Sequence, residues 1–123
     1  MRRLLIISLI LVFSSSASDN SDKRIKINNK TGSATITDQL AKSETISYLL
    51  GARANQLMKI NLSSDEGMHF SIKDLRTGLF LDGATEFDGA RTWEGVLPTT
   101  GDYRITVSSE GVSGNFTMNI SLK

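Results

Sequence analysis

The chain has 123 residues, 14 Lys+Arg against 13 Asp+Glu, and no cysteine. The missing cysteines exclude a disulfide scaffold, thiolate metal sites, cysteine catalysis and a lipid anchor through an N-terminal cysteine. A near-neutral chain with scattered charge is a poor general binder of nucleic acid or anionic membrane.

Residues 1–17, MRRLLIISLILVFSSSA, run from a basic start through an apolar stretch to small residues. This is a secretory signal pattern, with cleavage expected after Ala17. Losing Arg2 and Arg3 takes the formal charge from +1 to −1. The expected mature protein is exported, periplasmic or secreted, and makes no membrane contact after cleavage. Residues 18–24 are polar and expected to fray, and residues 25–123 form one domain.

Strand signals come next along the chain. Arg24 to Asn28 puts Ile25 and Ile27 on one face, and Ser33 to Thr37 is a second short candidate. Glu44 to Leu50 alternates through Ile46, Tyr48 and Leu50. Helix competes only across 38–50, where Thr45, Ile46 and Tyr48 weigh against it. Residues 51–56 read as a turn. Leu57 to Leu62 and Met68 to Lys73 then alternate cleanly, and 79–81 looks like a short strand. Residues 82–90 form a polar loop. Thr92 to Leu97 contains Trp93 and stops at Pro98, which cannot donate to a ladder. Tyr103 to Val107 and Phe116 to Leu122 alternate strongly.

Seven to nine short strands separated by Gly/Asp/Ser turns predict an all-β fold, an antiparallel β-sandwich of jelly-roll kind. Its expected core is Ile27, Tyr48, Met58, Ile60, Phe70, Ile72, Trp93, Tyr103, Ile105, Phe116, Met118 and Ile120.

Chemistry is sparse. The sole histidine, His69, lies on the face opposite Met68 and Phe70, with no neighbouring nucleophile motif; it reads as a surface residue, and no enzyme activity is expected. Asp82, Glu86 and Asp88 offer oxygen donors on a flexible loop, as calcium requires. Their spacing does not match the twelve-residue calcium loop. They are the weak metal candidates in a chain otherwise expected to need no cofactor. No glycine pattern makes a phosphate cradle. Arginine and aromatic side chains near turns are the natural anchors of a protein interface. Phe87 and Arg91 on the long loop, and Arg53 in the 51–56 turn, are therefore the binding candidates.

The run Tyr48-Leu-Leu-Gly-Ala-Arg-Ala-Asn-Gln-Leu-Met-Lys-Ile-Asn-Leu-Ser63 resembles the early part of bacterial pre-peptidase C-terminal-like domains. Trp93-Glu-Gly-Val-Leu-Pro-Thr-Thr-Gly-Asp-Tyr-Arg-Ile-Thr-Val107 resembles their second signature, and Asn115 to Leu122 their final strand. Among exported proteins with this domain, the likeness is to the periplasmic inhibitors of goose-type lysozyme. That resemblance implies a β-sandwich that sterically inhibits a lysozyme, with a loop inserted into its cleft. The alternative is a generic envelope module, or one binding cell wall or carbohydrate, with calcium as an optional stabilising ion. One departure stands out: the 108–114 link is short and carries no Arg or Lys.

Overall fold

The computed structural model describes residues 22–64 and 67–123. The expected signal segment, residues 1–17, lies outside the described residues. The described residues form nine strands: β1 Lys23–Arg24, β2 Ser33–Leu40, β3 Thr45–Ala52, β4 Leu57–Ser64, β5 Met68–Asp74, β6 Leu79–Phe80, β7 Thr92–Val96, β8 Gly101–Ser109 and β9 Gly114–Leu122. They make two sheets, ordered β1-β3-β8-β5-β6 and β2-β9-β4-β7. Every step from β2 to β9 changes sheet except β5 to β6, which is the jelly-roll winding of a sandwich. All pairings are antiparallel except β1 with β3, which is parallel.

Period-2 alternation builds the core directly. In β4, Met58, Ile60 and Leu62 are buried while Leu57, Lys59 and Asn61 are exposed. Opposing them from the other sheet are Met68, Phe70 and Ile72 of β5 and Tyr103, Ile105 and Val107 of β8, all buried. The stretch where helix competes, 38–50, is instead the end of β2, a turn and most of β3. Ser43 supplies the turn's positive φ of 64°.

Two expected core residues differ. Ile27 is only partly buried. The ladder of β1 stops at Arg24, so the residue driven inward is Ile25, whose N–H donates to Leu49 O at 2.8 Å. Trp93 is also only partly buried. It faces inward opposite Ile60, but β7 is an edge strand and the indole reaches the sandwich rim. Its Nε1–H donates to Asp82 O at 2.9 Å. The ring lies against Gly95, where an added Cβ would stand 2.7 Å from Trp93 Cη2. Gly95→Ala is therefore expected to cost about 1–3 kcal/mol by overpacking and to shift the emission of this sole tryptophan. An unchanged melt and spectrum would show that the ring moves aside freely.

Asp22, Lys23 and Arg24, grouped by sequence with the polar N-terminal stretch, are tied to the sheet. Asp22 accepts from Arg104, Lys23 pairs with Asp38 at 3.1 Å, and Arg24 pairs with Asp102 at 2.7 Å. Asp38 points inward from edge strand β2, since its register partner Phe116 is a core residue. An inward charge on an edge strand discourages pairing with another chain. Burial raises the Asp38 pKa, but bonds from Gln39 N–H, Tyr48 O–H and Lys23 outweigh it and hold the pKa below its ordinary value. Burial, together with the same contact, raises Tyr48. A carboxylate with a depressed folded pKa stabilises the fold above its unfolded pKa and loses that contribution as pH falls through the folded value. The bond from Arg24 lowers Asp102 in the same sense. Melting temperature is expected to drop as pH falls from about 5 to about 3, and to drop less in Asp38→Asn. Parallel declines would show that Asp38 contributes nothing.

Candidate functional site

β6 pairs with only two residues of β5, leaving most of that sheet edge open. Residues 81–91 cover it. Leu81 N–H donates to Ile72 O at 2.9 Å, and Ile72 N–H donates to Ala84 O at 2.9 Å. Phe70 N–H donates to Ala90 O at 2.8 Å. Leu62 N–H, in the opposite sheet, donates to Arg91 O at 2.8 Å. The loop that sequence reads as free is thus stitched to both sheets through its backbone, which satisfies an otherwise open edge.

The outer turn of this loop is closed by its own side chains. Asp88 Oδ2 accepts from Thr85 N–H and Thr85 Oγ1–H, each at 2.9 Å. Phe87 N–H donates to Thr85 Oγ1 at 3.2 Å. Such Asx-type closure is what small polar residues do in turns. Its result is a fixed turn with a phenyl ring at the tip. Phe87 is 95% exposed, more than any other large hydrophobic residue described. A bare ring on an ordered turn has apolar surface to bury on a partner and little ordering entropy left to lose.

Arg91 lies at the base of the same loop. Its Nη1 donates to Met68 O at 2.8 Å and its Nη2 to Ser64 O at 2.9 Å. The guanidinium thus links the two flanks of the β4–β5 turn. Arg53 does not join these residues. It stands in the turn before β4, whereas Arg91 bonds near that strand's far end. Eight residues of strand put about 25 Å between the two ends. Arg53 is exposed beside Asn29, Gly32 and Gln56, in a shallow depression at the other end of the sandwich.

The proposed calcium donors do not converge. Asp88 closes the Thr85 turn, and the backbone of Asp82 receives the Trp93 indole. Glu86 faces a groove on the β5/β8 sheet. Among the described residues, no three His, Cys, Asp or Glu side chains stand together so as to hold a metal ion. His69 lies on the outer face, as its alternation requires, and its Nε2 meets Glu110 Oε2 at 2.8 Å. Sequence could not supply that partner, because Glu110 comes from the distant β8–β9 turn.

No family model matches this sequence, and no curated protein does. Solved structures do match. A periplasmic lysozyme inhibitor of g-type lysozyme from Aeromonas hydrophila aligns over 84% of this chain and 96% of its own, at 21% identity and a TM-score of 0.71. The corresponding inhibitor from Salmonella Typhimurium aligns over 83% and 97%, at 19% identity and a TM-score of 0.62. The pre-peptidase C-terminal domain of a Bacillus anthracis collagenase aligns over 85% and 96%, at 18% identity and a TM-score of 0.57. In fold, the chain is a β-sandwich of the kind shared by these lysozyme inhibitors and the collagenase domain.

Proposed function

We propose that the protein is exported and sterically inhibits a goose-type lysozyme, with the Phe87 turn inserted into the enzyme's cleft. The observation that carries this reading is the 95% exposure of Phe87 on a turn fixed by Thr85 and Asp88. A concave site is blocked by convex matter, and a sandwich presents convex matter only through its loops. Support also comes from the fold, which runs through nearly the whole length of two inhibitors of that lysozyme class. Arg91 holds the loop's base through the Met68 and Ser64 carbonyls. Arg53 stands too far away to share the contact. The chain itself performs no catalysis in this reading, and its place is the periplasm or the surrounding medium.

The test is a lysis assay with the mature protein added to goose-type and chicken-type lysozymes in parallel. Inhibition of the goose type is expected, with the chicken type unaffected. Full activity of both enzymes would overturn the reading.

A second reading, saccharide binding, is favoured by one feature. Trp93 borders a depression of about 560 Å³ with Lys59, Asn61, Thr92 and Glu94. An aromatic edge beside an amide, a hydroxyl and charged groups suits a sugar ring. Retention on insoluble cell wall, lost in Trp93→Ala, would support it over the inhibitor reading.

A further inference from the structure

The outer face of the β3-β8-β5 sheet carries a groove of about 450 Å³ that the inhibitor reading leaves unused. Register sets out its floor in rows. Ser71 lies beside Thr106, and Thr106 beside Ser47, whose hydroxyl is 3.0 Å from that of Thr106. Lys73 lies beside Arg104 in the next row, and His69 beside Ser108 on the other side.

Most polar groups here have partners. Arg104 donates to Asp22 Oδ2 through Nε and Nη2, at 3.2 and 2.9 Å. His69 meets Glu110, and Thr106 meets Ser47. Three others bear on what the groove could hold. Lys73 forms no ion pair among the described residues; its Nζ stands 5.5 Å from the Phe80 ring centroid. Glu86 lines the same groove and also forms no ion pair among the described residues. Ser71 is 8% exposed, and its hydroxyl has no hydrogen-bond partner among the described residues. Ser71 lines the groove, so its hydroxyl is placed to donate to or accept from a ligand there.

We propose that this groove binds a small zwitterion of amino-acid type, a free amino acid or a short peptide. The carboxylate meets Lys73, the ammonium meets Glu86, and Ser71 bonds the ligand between them. The groove offers a cation and a carboxylate that do not neutralise each other. A simple anion would leave Glu86 unanswered, and a neutral ligand would neutralise neither charge. Ser71 can donate or accept, so it suits either end of an amide.

The test is an NMR titration of the mature protein with alanine, dialanine, N-acetyl-dialanine and dialanine amide. Alanine or dialanine is expected to give saturable shifts at residues 71–73 and 104–106, and the tighter of the two identifies the natural source. Blocking either end should weaken binding about tenfold or more. Lys73→Met should weaken dialanine to a similar extent and leave dialanine amide unchanged. Glu86→Gln should do the same for the ammonium end, leaving N-acetyl-dialanine unchanged. Melting curves of both variants verify an intact fold. No saturable shift with either free ligand, or dialanine binding that neither substitution alters, would overturn the proposal.

Discussion

Tyr103→Ala is expected to cost about 3–5 kcal/mol of folding stability, and Tyr103→Phe about 0.5–1.5 kcal/mol. The ring is fully buried at the start of β8, so truncation opens a cavity in the sandwich. The hydroxyl is the centre of a buried polar cluster. It donates to Thr99 O at 2.7 Å and accepts from Thr99 N–H at 3.1 Å. Thr99 Oγ1 in turn donates to Asp74 Oδ2 at 2.7 Å, and Asp74 Oδ1 accepts from Arg76 N–H at 2.9 Å. The phenol therefore holds Thr99 of the β7–β8 turn, whose own hydroxyl reaches Asp74 at the start of the β5–β6 turn. Phenylalanine keeps the packing and strands these partners, which is why its cost is real but smaller. Denaturant melts of the two variants measure both effects. Equal, near-zero changes would contradict the buried placement.

Phe87→Ala is expected to lower affinity for a goose-type lysozyme by more than about 2 kcal/mol, roughly thirtyfold. The same substitution is expected to leave folding stability nearly unchanged, because the ring is 95% exposed and packs on almost nothing in the free protein. That split between binding and stability distinguishes a contact residue from one that merely pins a loop. Arg91→Ala is the contrasting variant. Its guanidinium bonds two carbonyls, so its loss should show first as a lower melting temperature.

Much of the sandwich could be read from alternation alone. The inward sets Met58, Ile60 and Leu62 in β4, and Phe116, Met118 and Ile120 in β9, are spaced at two and are buried as that spacing requires. Tyr103 was legible for the same reason. The failures arise where pairing, not patterning, decides burial. Ile27 has the right spacing, but its segment leaves the ladder after Arg24. Trp93 points inward, yet a missing neighbour beyond β7 leaves it at the rim.

The site was legible in part. A long polar loop with one aromatic marks Phe87 as unusual, and its exposure reflects having no strand to join. Nothing in the sequence reveals that Ala84, Ala90 and Arg91 lend their carbonyls to β5 and β4, because backbone acceptors carry no residue signature. The two arginines behave likewise. Arg53 and Arg91 read alike as turn arginines, and only strand direction sets them at opposite ends of β4. The groove on the outer face was half visible: alternation aligns His69, Ser71 and Lys73. Glu86 and the β8 residues join them only through the fold.

The most direct measurement is calorimetric titration of a goose-type lysozyme with the mature protein and with its Phe87→Ala variant, alongside melting curves of both. Inhibition through the Phe87 turn predicts saturable binding by the parent, a loss of about thirtyfold or more in the variant, and matching melting temperatures. Equal affinities for the two proteins, or no binding by the parent, would contradict it.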